Sequence, residues 1–375
     1  MDFPISEYEN RLERAQRAMS TQGFDALLFT TEAEVRYFSG FRTLFWQSPT
    51  RPWFLIVPRV GKPVAVVPGI GEALMRQTWL DDIRCWSSPH ESDDGISLLA
   101  DALARYKRIG MPTGRETSLR MPLRDYDLLR ERLRGAAFMD ATDLVQGLRM
   151  VKSTAEIETI ADICAIASRA FARGQEIFHE GQPLDVVFRT FRIELLSQGA
   201  EDVPYLVGGA GQGGYLDVIS PPDSTPLRKG DVLMLDTGAT LRGYFCDFDR
   251  NFAIGHALDA AKRAHETLWR ATEAGLAAAR PGARVCDLHR AMIEVIGSDG
   301  GGVGRAGHGL GMQLTESPSL ISWDETVLVP GMVLTLEPGM DVADGRIMVH
   351  EENIVVTDDV PRLLTQRTPP DLPVI

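Results

Sequence analysis

The stretch from residue 230 to residue 252 constrains the fold more than any other part of the chain. An apolar run, residues 232–235, predicts a buried strand that ends at Asp236. A second β-rich run follows after a short polar turn, extends over residues 244–252 and carries Asp247. The segment therefore predicts a β-hairpin with one aspartate on each strand.

The two aspartates of this hairpin face each other if the turn is centred on Leu241 and Arg242. Directly paired residues point to the same face, with Cβ atoms about 4.5–5.5 Å apart. Carboxylates held this close repel each other unless a proton or a cation lies between them. Two divalent ions about 3.5–4 Å apart, bridged by carboxylates, meet this condition. The alternative is a solvated hairpin at a sheet edge with two surface acids.

Three downstream segments carry further side chains that bind metals in proteins. A lone histidine, His308, stands between two glycines. A strand-like run then ends in Glu337 and a Pro-Gly turn, and Glu351 opens another β-rich run. Two aspartates, two glutamates and one imidazole form a hard, oxygen-rich set. Such a set suits Mn, Co, Fe or Zn better than a thiolate site would.

In order, spacing and local context, these five residues resemble the metal ligands of the pita-bread family. These M24-type metallopeptidases and relatives include prolidase, aminopeptidase P, methionine aminopeptidase and creatinase. The resemblance places the family's ligands on Asp236, Asp247, His308, Glu337 and Glu351. It implies two divalent metal ions (Mn, Co, Zn or Fe) that share Asp236 and Glu351. Glu337 and His308 are implied as catalytic side chains, with Glu337 as the proton shuttle. The implied reaction is attack by a metal-bridged hydroxide on an amide carbonyl of a small substrate.

The domain organisation follows from the pattern and from the same resemblance. Apolar positions in residues 8–19 predict an opening helix that stops at Gly23, and short strands alternate with helices beyond it. Residues 10–41 resemble the start of creatinase-type N-terminal domains. The expected fold class is α/β (α+β), with a creatinase-type N-terminal α/β domain over residues 1–148. A pita-bread metal-dependent catalytic domain is expected over residues 149–375, and the resemblance also implies a homodimer.

The junction between these domains predicts a capped helix. Ser153 or Thr154 can cap it, and Glu156 is placed for a capping box. Further on, the glycine-rich stretch 204–215 lacks the Lys-Ser/Thr pair of a phosphate loop. This stretch is therefore predicted to be a flexible loop that lines the substrate pocket.

Composition and charge exclude several classes of partner. The 375 residues carry a formal net charge of -13, which argues against a nucleic-acid surface or an anionic-membrane patch. No apolar stretch approaches the roughly 20 residues that span a bilayer, and the acidic N-terminus differs from a secretory signal peptide. The four cysteines are widely spaced and form no CxxC motif, which predicts reduced thiols in a cytoplasmic protein. The resemblance to the pita-bread family implies a small molecule or a dipeptide as the partner.

Three positions depart from the pattern of the peptidases in this family. Prolidase-like members carry a histidine shortly before the first metal aspartate, and residues 180–255 contain none. These members carry another histidine seven residues after the metal histidine, where Thr315 stands here. The family often has Thr or Ser two residues after its second aspartate, where this chain has Asp249. Period-two geometry sends Asp249 to the side of Asp247, as an extra ligand or as an ion-pair partner of Arg250.

Three functions follow from these observations. The favoured one is a metal-dependent hydrolase that resembles Xaa-Pro dipeptidase or aminopeptidase. The alternative is a family member repurposed for a small non-peptide compound, such as a creatinase- or ectoine-hydrolase-like amidohydrolase or an osmolyte lyase. The two absent histidines favour this alternative. A binding protein that keeps the fold without catalysis is the third, and the complete ligand set counts against it.

Overall fold

The computed structural model describes residues 1–48, 51–297, 304–343 and 345–375. The chain divides into two compact units, Met1–Arg149 and Met150–Ile375. Each unit has its own hydrophobic core, and both mix helices with strands. The α/β class expected from the sequence is confirmed.

The first unit is a layered α/β structure. Its helices are α1 (Ile5–Gln22), α2 (Glu32–Ser39), α3 (Glu72–Met75), α4 (Ile96–Leu103), α5 (Leu123–Arg132) and α6 (Thr142–Met150). Its strands are β1 (Ala26–Phe29), β2 (Phe54–Pro58), β3 (Val64–Pro68), β4 (Asp82–Trp86), β5 (Arg108–Met111) and β6 (Ala137–Asp140). The strands pair in the order β4-β3-β2-β1-β5-β6. Strand β2 is antiparallel to both of its neighbours, whereas the pairs β1–β5, β3–β4 and β5–β6 are parallel.

Helix α1 forms because its apolar side chains recur at helical spacing. Tyr8, Leu12, Ala15 and Met19 are buried along one face, and Gly23 ends the helix in the left-handed conformation. The prediction of an opening helix that stops at Gly23 is confirmed. Every residue of strand β1 is buried, as expected for a central strand that is covered on both faces.

The second unit combines several small sheets with two groups of helices. Its helices are α7 (Thr154–Ala172), α8 (Gly174–Ile177), α9 (Leu184–Ser197), α10 (Asp259–Ala278) and α11 (Val285–Ile296). Its strands are β7 (Asp202–Gln212), β8 (Asp231–Leu241), β9 (Tyr244–Phe245), β10 (Phe248–Ala253), β11 (His308–Gly309), β12 (Glu316–Ser319), β13 (Val333–Leu336), β14 (Gly339–Asp341), β15 (Ile347–Val349), β16 (Glu352–Val355) and β17 (Arg362–Leu363).

Two of these sheets supply the framework of the candidate site. One has the strand order β10-β8-β7, with β9 also paired to β8, and the other has the order β12-β11-β13-β16-β17. Helices α7 and α9 pack against β8 and β7, whereas α10 and α11 contribute to a core with β13 and β16. Helix α7 begins with the predicted capping box, since Ser153 accepts from the backbone of Glu156 and the Glu156 side chain accepts from the backbone of Ser153.

The prediction of a flexible glycine-rich loop at residues 204–215 is wrong for most of its length. Residues 202–212 form strand β7, which pairs antiparallel with β8 along its length. Gly208 explains why glycine is needed in this strand. Its φ is +145°, and a Cβ there would lie 2.1 Å from the carbonyl oxygen of Met234. Glycine thus permits close approach of two backbones at this position. The prediction of a loop was wrong because glycines also occur in strands for this reason.

The predicted pairing of Asp236 with Asp247 is also wrong. Strand β8 does not end at Asp236 but continues to Leu241, and the hairpin turn falls on Arg242 and Gly243, both with positive φ. This two-residue turn has the backbone that matches strand twist. Moving the turn centre by one residue moves every partner by two, so the residue opposite Asp236 is Asp249.

Within the described ranges, no helix is both long and apolar enough to cross a bilayer. The four cysteines are free thiols, and three of them are buried.

Candidate metal centre

The five residues predicted as ligands all lie in the second unit, within strands or directly beside them. Asp236 is in β8, Asp247 lies between β9 and β10, and His308 opens β11. Glu337 directly follows β13, and Glu351 lies between β15 and β16. All are 8% exposed or less except Glu337, whose side chain is 27% exposed. Glu337 is therefore the member of the set most open to a bound molecule.

Three of the five side chains are close enough to hold a single ion. One ligand atom each from Asp247, His308 and Glu351 lies within 4.8 Å of the others. His308 Nε2 is 3.4 Å from Asp247 Oδ2 and 3.9 Å from Glu337 Oε2. The geometry groups Asp247, rather than Asp236, with the imidazole.

The orientation of His308 is set by its own backbone and by the glycines beside it. Its Nδ1 lies 2.9 Å from the carbonyl oxygen of Gly309, to which an Nδ1–H donates, and Nε2 is left to face the acids. A Cβ on Gly307 would lie 2.2 Å from Thr335 O, and one on Gly309 would lie 2.3 Å from Ser317 O. The Gly-His-Gly sequence therefore lets this strand fit tightly between its two neighbours.

Strand register brings the two glutamates together. Strands β13 and β16 pair antiparallel, with Thr335 opposite Asn353 and Leu336 opposite Glu352. Continuing this register by one residue puts Glu337 opposite Glu351. Both strands change course at this point, since Pro338 follows Glu337 and strand β16 begins just after Glu351.

Burial changes the protonation chemistry of the whole group. Burial raises the pKa of Asp236 to about 7, although the Tyr205 hydroxyl, which donates to Asp236, opposes this shift. Burial, followed by the charge of Asp236, raises the pKa of Glu337 to about 8. The pKa values of Asp247 and Glu351 are raised well above the usual range by burial and by the surrounding carboxylates. Burial lowers the pKa of His308 to about 4, so the imidazole is neutral.

The residues present fit divalent metal ions. Asp236 Oδ1 and Glu351 Oε1 are buried and have no hydrogen-bond donor within the part of the chain that the structure describes. A buried polar group without a hydrogen-bond partner costs about 1–3 kcal/mol when it is neutral and more when it is charged. Four carboxylates, two orphaned oxygens and a neutral imidazole with Nε2 available match the ligand chemistry of Mn, Co, Fe or Zn.

Asp249 is a buried acid of the same region. It is 1% exposed and lies opposite Asp236 in the β8–β10 pair. The predicted ion pair with Arg250 is wrong, because the Arg250 guanidinium is 2.9 Å from Glu352 Oε2 and also donates to the carbonyl oxygens of Asp249 and Glu351. The side chain of Asp249 accepts instead from Asn251 Nδ2 at 2.6 Å.

Sequence reasoning missed two residues that position this centre. The amide of Asn353 clamps the backbone of Asp247: its Oδ1 accepts from the Asp247 N–H at 3.0 Å, and its Nδ2 donates to the Asp247 carbonyl oxygen. Tyr205, which donates to Asp236, was hidden in the supposed loop. Asn353 could have been noticed, because it shares a strand face with Glu351 two residues earlier in a β-rich run.

Two other histidines are buried nearby. His265 is 1% exposed, and its Nε2 lies 3.1 Å from Pro369 O. Its ring is 5.7 Å from that of His350, which is also buried. His265 occupies one of the buried positions of helix α10.

The position of the absent second histidine is occupied by a different arrangement. Thr315 is partly exposed, and the neighbouring Glu316 is buried in an ion pair with Lys152 at 3.2 Å. Glu316 also accepts from the backbone of Gln313 at 3.1 Å. This pair ties strand β12 to the beginning of the second unit.

Taken together, a buried group of acids and a neutral histidine, carried by two small antiparallel sheets, defines the class of a metal-dependent hydrolase. Residues 158–359 match the model of metallopeptidase family M24, and residues 11–151 match the model of the Creatinase/Prolidase N-terminal domain. The first match covers more than half of the chain, so the protein belongs to metallopeptidase family M24. Its architecture is the creatinase-like N-terminal domain followed by the pita-bread domain of that family.

Known relatives share this architecture along their whole length. The chain is 28% identical to the probable dipeptidase PepE of Mycobacterium tuberculosis, covering 100% of this chain and 98% of the relative. The crystal structure of dipeptidase PepE from Mycobacterium ulcerans has a TM-score of 0.86 at 27% identity and covers 99% of both chains. The prolidase from Pyrococcus horikoshii OT3 has a TM-score of 0.83 at 22% identity, with coverage of 96% of this chain and 99% of that one, and supports the fold alone.

Proposed function

We propose that this metallohydrolase is a dipeptidase that cleaves Xaa-Pro dipeptides or similarly small peptides. The observation that carries the proposal is the convergence of Asp247, His308 and Glu351, whose ligand atoms lie within 4.8 Å of one another in an M24 chain. The names of the relatives, which include dipeptidases and an Xaa-Pro dipeptidase of Pyrococcus furiosus, support the choice of substrate.

The proposed ligands are Asp236, Asp247, His308, Glu337 and Glu351, which would hold two divalent ions. Asp247 and Glu351 would join His308 at one of these ions, because a ligand atom of each lies within 4.8 Å of the others. When bound, such ions supply a nucleophilic water at neutral pH and polarise the substrate carbonyl. Asp236, which the family resemblance implies as a shared ligand, would contribute to the second ion.

The protein's own groups account for the rest of the chemistry. Glu337 has an exposed edge and lies 3.9 Å from His308 Nε2, so it can reach both the centre and a bound substrate. We assign it the transfer of a proton to the leaving nitrogen. The Gly309 carbonyl holds His308 in one orientation, and the Tyr205 hydroxyl holds Asp236. These contacts keep the ligands in place before substrate binds.

The direct experiment measures metal content and peptide cleavage on the same preparation. Chelator-stripped protein is reloaded with Mn²⁺, counted for metal by mass spectrometry, and assayed with Ala-Pro and Gly-Pro against Ala-Ala. His308→Ala is expected to lose metal and activity. His289→Ala, a partly exposed histidine on α11, is the matched control and is expected to keep both.

Each outcome of that experiment decides something. About two metals per chain with cleavage of the proline dipeptides supports the proposal. Metal without cleavage of any dipeptide overturns the dipeptidase assignment. Absence of metal under every loading condition, or metal retained by His308→Ala, overturns the centre itself.

A second candidate function is hydrolysis of a small non-peptide amide, or lyase action on a small osmolyte. Two observations favour it: Thr315 occupies the position of a histidine of the prolidase-like members, and residues 180–255 contain no histidine. The metal-loaded protein is therefore also assayed with creatine, ectoine and a sulfonium osmolyte. Turnover of one of these without dipeptide cleavage would replace the first candidate.

We further propose that the physiological metal is manganese and that the protein is a cytoplasmic homodimer. The oxygen-rich ligand set supports manganese, and the four free cysteines support a reducing compartment. Light scattering of the purified chain tests the dimer, and metal analysis after expression without added metal tests the choice of ion.

A further inference from the structure

We propose that Asp249 is an additional carboxylate ligand of the metal centre and completes an all-oxygen site for a hard divalent cation beside Asp236. The inference rests on the proposed metal centre and adds to it a residue and a preference for one class of cation. It concerns the side of the centre that lies away from His308.

The backbone register places Asp249 at the centre. Asp249 in β10 is the direct partner of Asp236 in β8. Directly opposed residues point to the same face of a sheet, with Cβ atoms about 4.5–5.5 Å apart. The charge of Asp236 acts on Asp249, and the charge of Asp249 acts on Glu351, so the three carboxylates lie near one another.

The hydrogen bonds of Asp249 leave one oxygen available. Asp249 Oδ2 accepts from Asn251 Nδ2 at 2.6 Å. The same Nδ2 donates to Val349 O at 2.8 Å, and Asn251 Oδ1 lies 3.3 Å from the Tyr215 hydroxyl. The amide is therefore fixed and holds one carboxylate oxygen. The other, Asp249 Oδ1, is buried and has no donor in hydrogen-bond geometry among the residues that the structure describes. The nearby Glu351 N–H opposes the rise in the pKa of this carboxyl without satisfying Oδ1.

The adjacent arginine does not supply the missing partner. Arg250 directs its guanidinium to the Glu352 carboxylate and to the backbone carbonyl oxygens of Asp249, Glu351 and Gln366. Within the described residues, Asp249 Oδ1 is thus buried without a hydrogen-bond donor, as are Asp236 Oδ1 and Glu351 Oε1 of two proposed ligands. An ion held between Asp236 and Asp249 would give a partner to the orphaned oxygen of each, and Glu351 would be the third carboxylate available to it.

The ligand set on this side has a chemical consequence. Asp236, Asp249 and Glu351 offer oxygen atoms alone, whereas the opposite side includes the imidazole of His308. All-oxygen sites favour hard cations such as Mn²⁺ or Mg²⁺, and imidazole suits Zn²⁺ and other transition metals. The two halves of the centre are therefore expected to differ in affinity and in preference.

The test is a titration of chelator-stripped protein with Mn²⁺, followed by calorimetry and electron paramagnetic resonance, with no substrate present. Asp249→Asn is expected to bind the first equivalent normally and the second about 10-fold to 100-fold more weakly. The spectrum of two coupled Mn²⁺ ions should change to that of an isolated ion. Metal-free Asp249→Asn should unfold at the same temperature as the natural protein or a higher one, because an amide oxygen can still accept from Asn251 Nδ2 and one acid of a crowded group of buried acids has been removed.

The matched control is Asp231→Asn. Asp231 is a buried aspartate of the same strand β8, but its oxygens are engaged by Gln212 Nε2 and by the backbone of Arg228. This variant should bind both Mn²⁺ ions as the natural protein does. Asp249→Ser is the second test variant, which checks that loss of the second ion does not depend on the amide introduced by Asp249→Asn.

The outcomes separate this inference from the proposed function. If the natural protein binds two ions and both Asp249 variants bind them with unchanged affinity, Asp249 is not a ligand, while the centre stands. If the natural protein binds no ion, the proposed function fails first. If Asp249→Asn loses both ions and keeps normal thermal stability, Asp249 does not act on the second ion alone. That result would also overturn its assignment to the side of the centre away from His308.

Discussion

The amide clamp of Asn353 on Asp247 allows a prediction whose size can be worked out from the contacts. Asn353→Ala leaves the N–H and the carbonyl oxygen of Asp247 buried without their partners. Each unsatisfied group costs about 1–3 kcal/mol, so the expected loss is about 2–6 kcal/mol in local stability. Because Asp247 is held in place by this clamp, the variant should also bind Mn²⁺ about 10-fold to 100-fold more weakly.

The assay must report on the second unit, because a chain of two units has no single unfolding free energy. Amide hydrogen exchange of the peptide spanning residues 244–252 in metal-free protein gives the local opening free energy. A loss of about 2 kcal/mol corresponds to exchange about 30-fold faster. Calorimetric titration with Mn²⁺ on the same samples gives the change in affinity.

A control and a refuting result make this prediction sharp. Cys164 lies against the same amide, its Sγ 3.3 Å from Asn353 Oδ1, but it takes no part in the two hydrogen bonds between Asn353 and Asp247. Cys164→Ala should cost about 1 kcal/mol from lost packing and leave the affinity for Mn²⁺ unchanged. Exchange in Asn353→Ala within threefold of the natural protein, together with normal metal affinity, would refute the clamp as the element that positions Asp247.

Two further predictions follow from the site. Tyr205→Phe removes the hydroxyl that donates to Asp236, so metal affinity should fall about 10-fold while the fold stays intact. Calorimetry measures the affinity and circular dichroism checks the fold. Unchanged metal affinity would contradict the role of Tyr205. The second concerns pH. Burial raises the pKa of Asp236 to about 7 and that of Glu337 to about 8 in the folded, metal-free protein, above their values near 4 in the unfolded chain. The folded state therefore binds more protons, and the metal-free protein loses stability as pH rises from about 4 to 8. Because bound cations favour the ionised acids, the Tm difference between Mn²⁺-loaded and metal-free protein should widen from pH 6 to pH 8; a gap that narrows would refute the linkage.

Sequence patterns predicted the parts of the site that depend on local chemistry. The Gly-His-Gly segment, the glutamate before Pro-Gly and the acid opening a β-rich run each keep their context in the structure, and Asp247, His308 and Glu351 come together. Their roles as ligands stay a prediction. Helix boundaries that depend on local signals, such as Gly23 and the Ser153 cap, were also predictable.

What the sequence could not give depends on pairing between distant strands. The partner of Asp236 was misplaced by two residues because the hairpin turn uses Arg242 and Gly243. Strand β7 was mistaken for a loop because its glycines serve a contact with β8, such as that of Gly208 with Met234. Likewise, the clamp on Asp247 comes from Asn353, more than a hundred positions along the chain.

The clamp has a consequence for how the protein is made. During synthesis the hairpin with Asp236 and Asp247 emerges well before the strand that follows Glu351. The segment that contains Glu351, the last of the proposed ligands, also contains Asn353, whose side chain hydrogen-bonds to the backbone of Asp247. An ion captured earlier would meet an aspartate whose backbone is not yet held. We therefore expect tight binding of the proposed ions only after the second unit has folded, so that bound metal would distinguish finished molecules from incomplete ones.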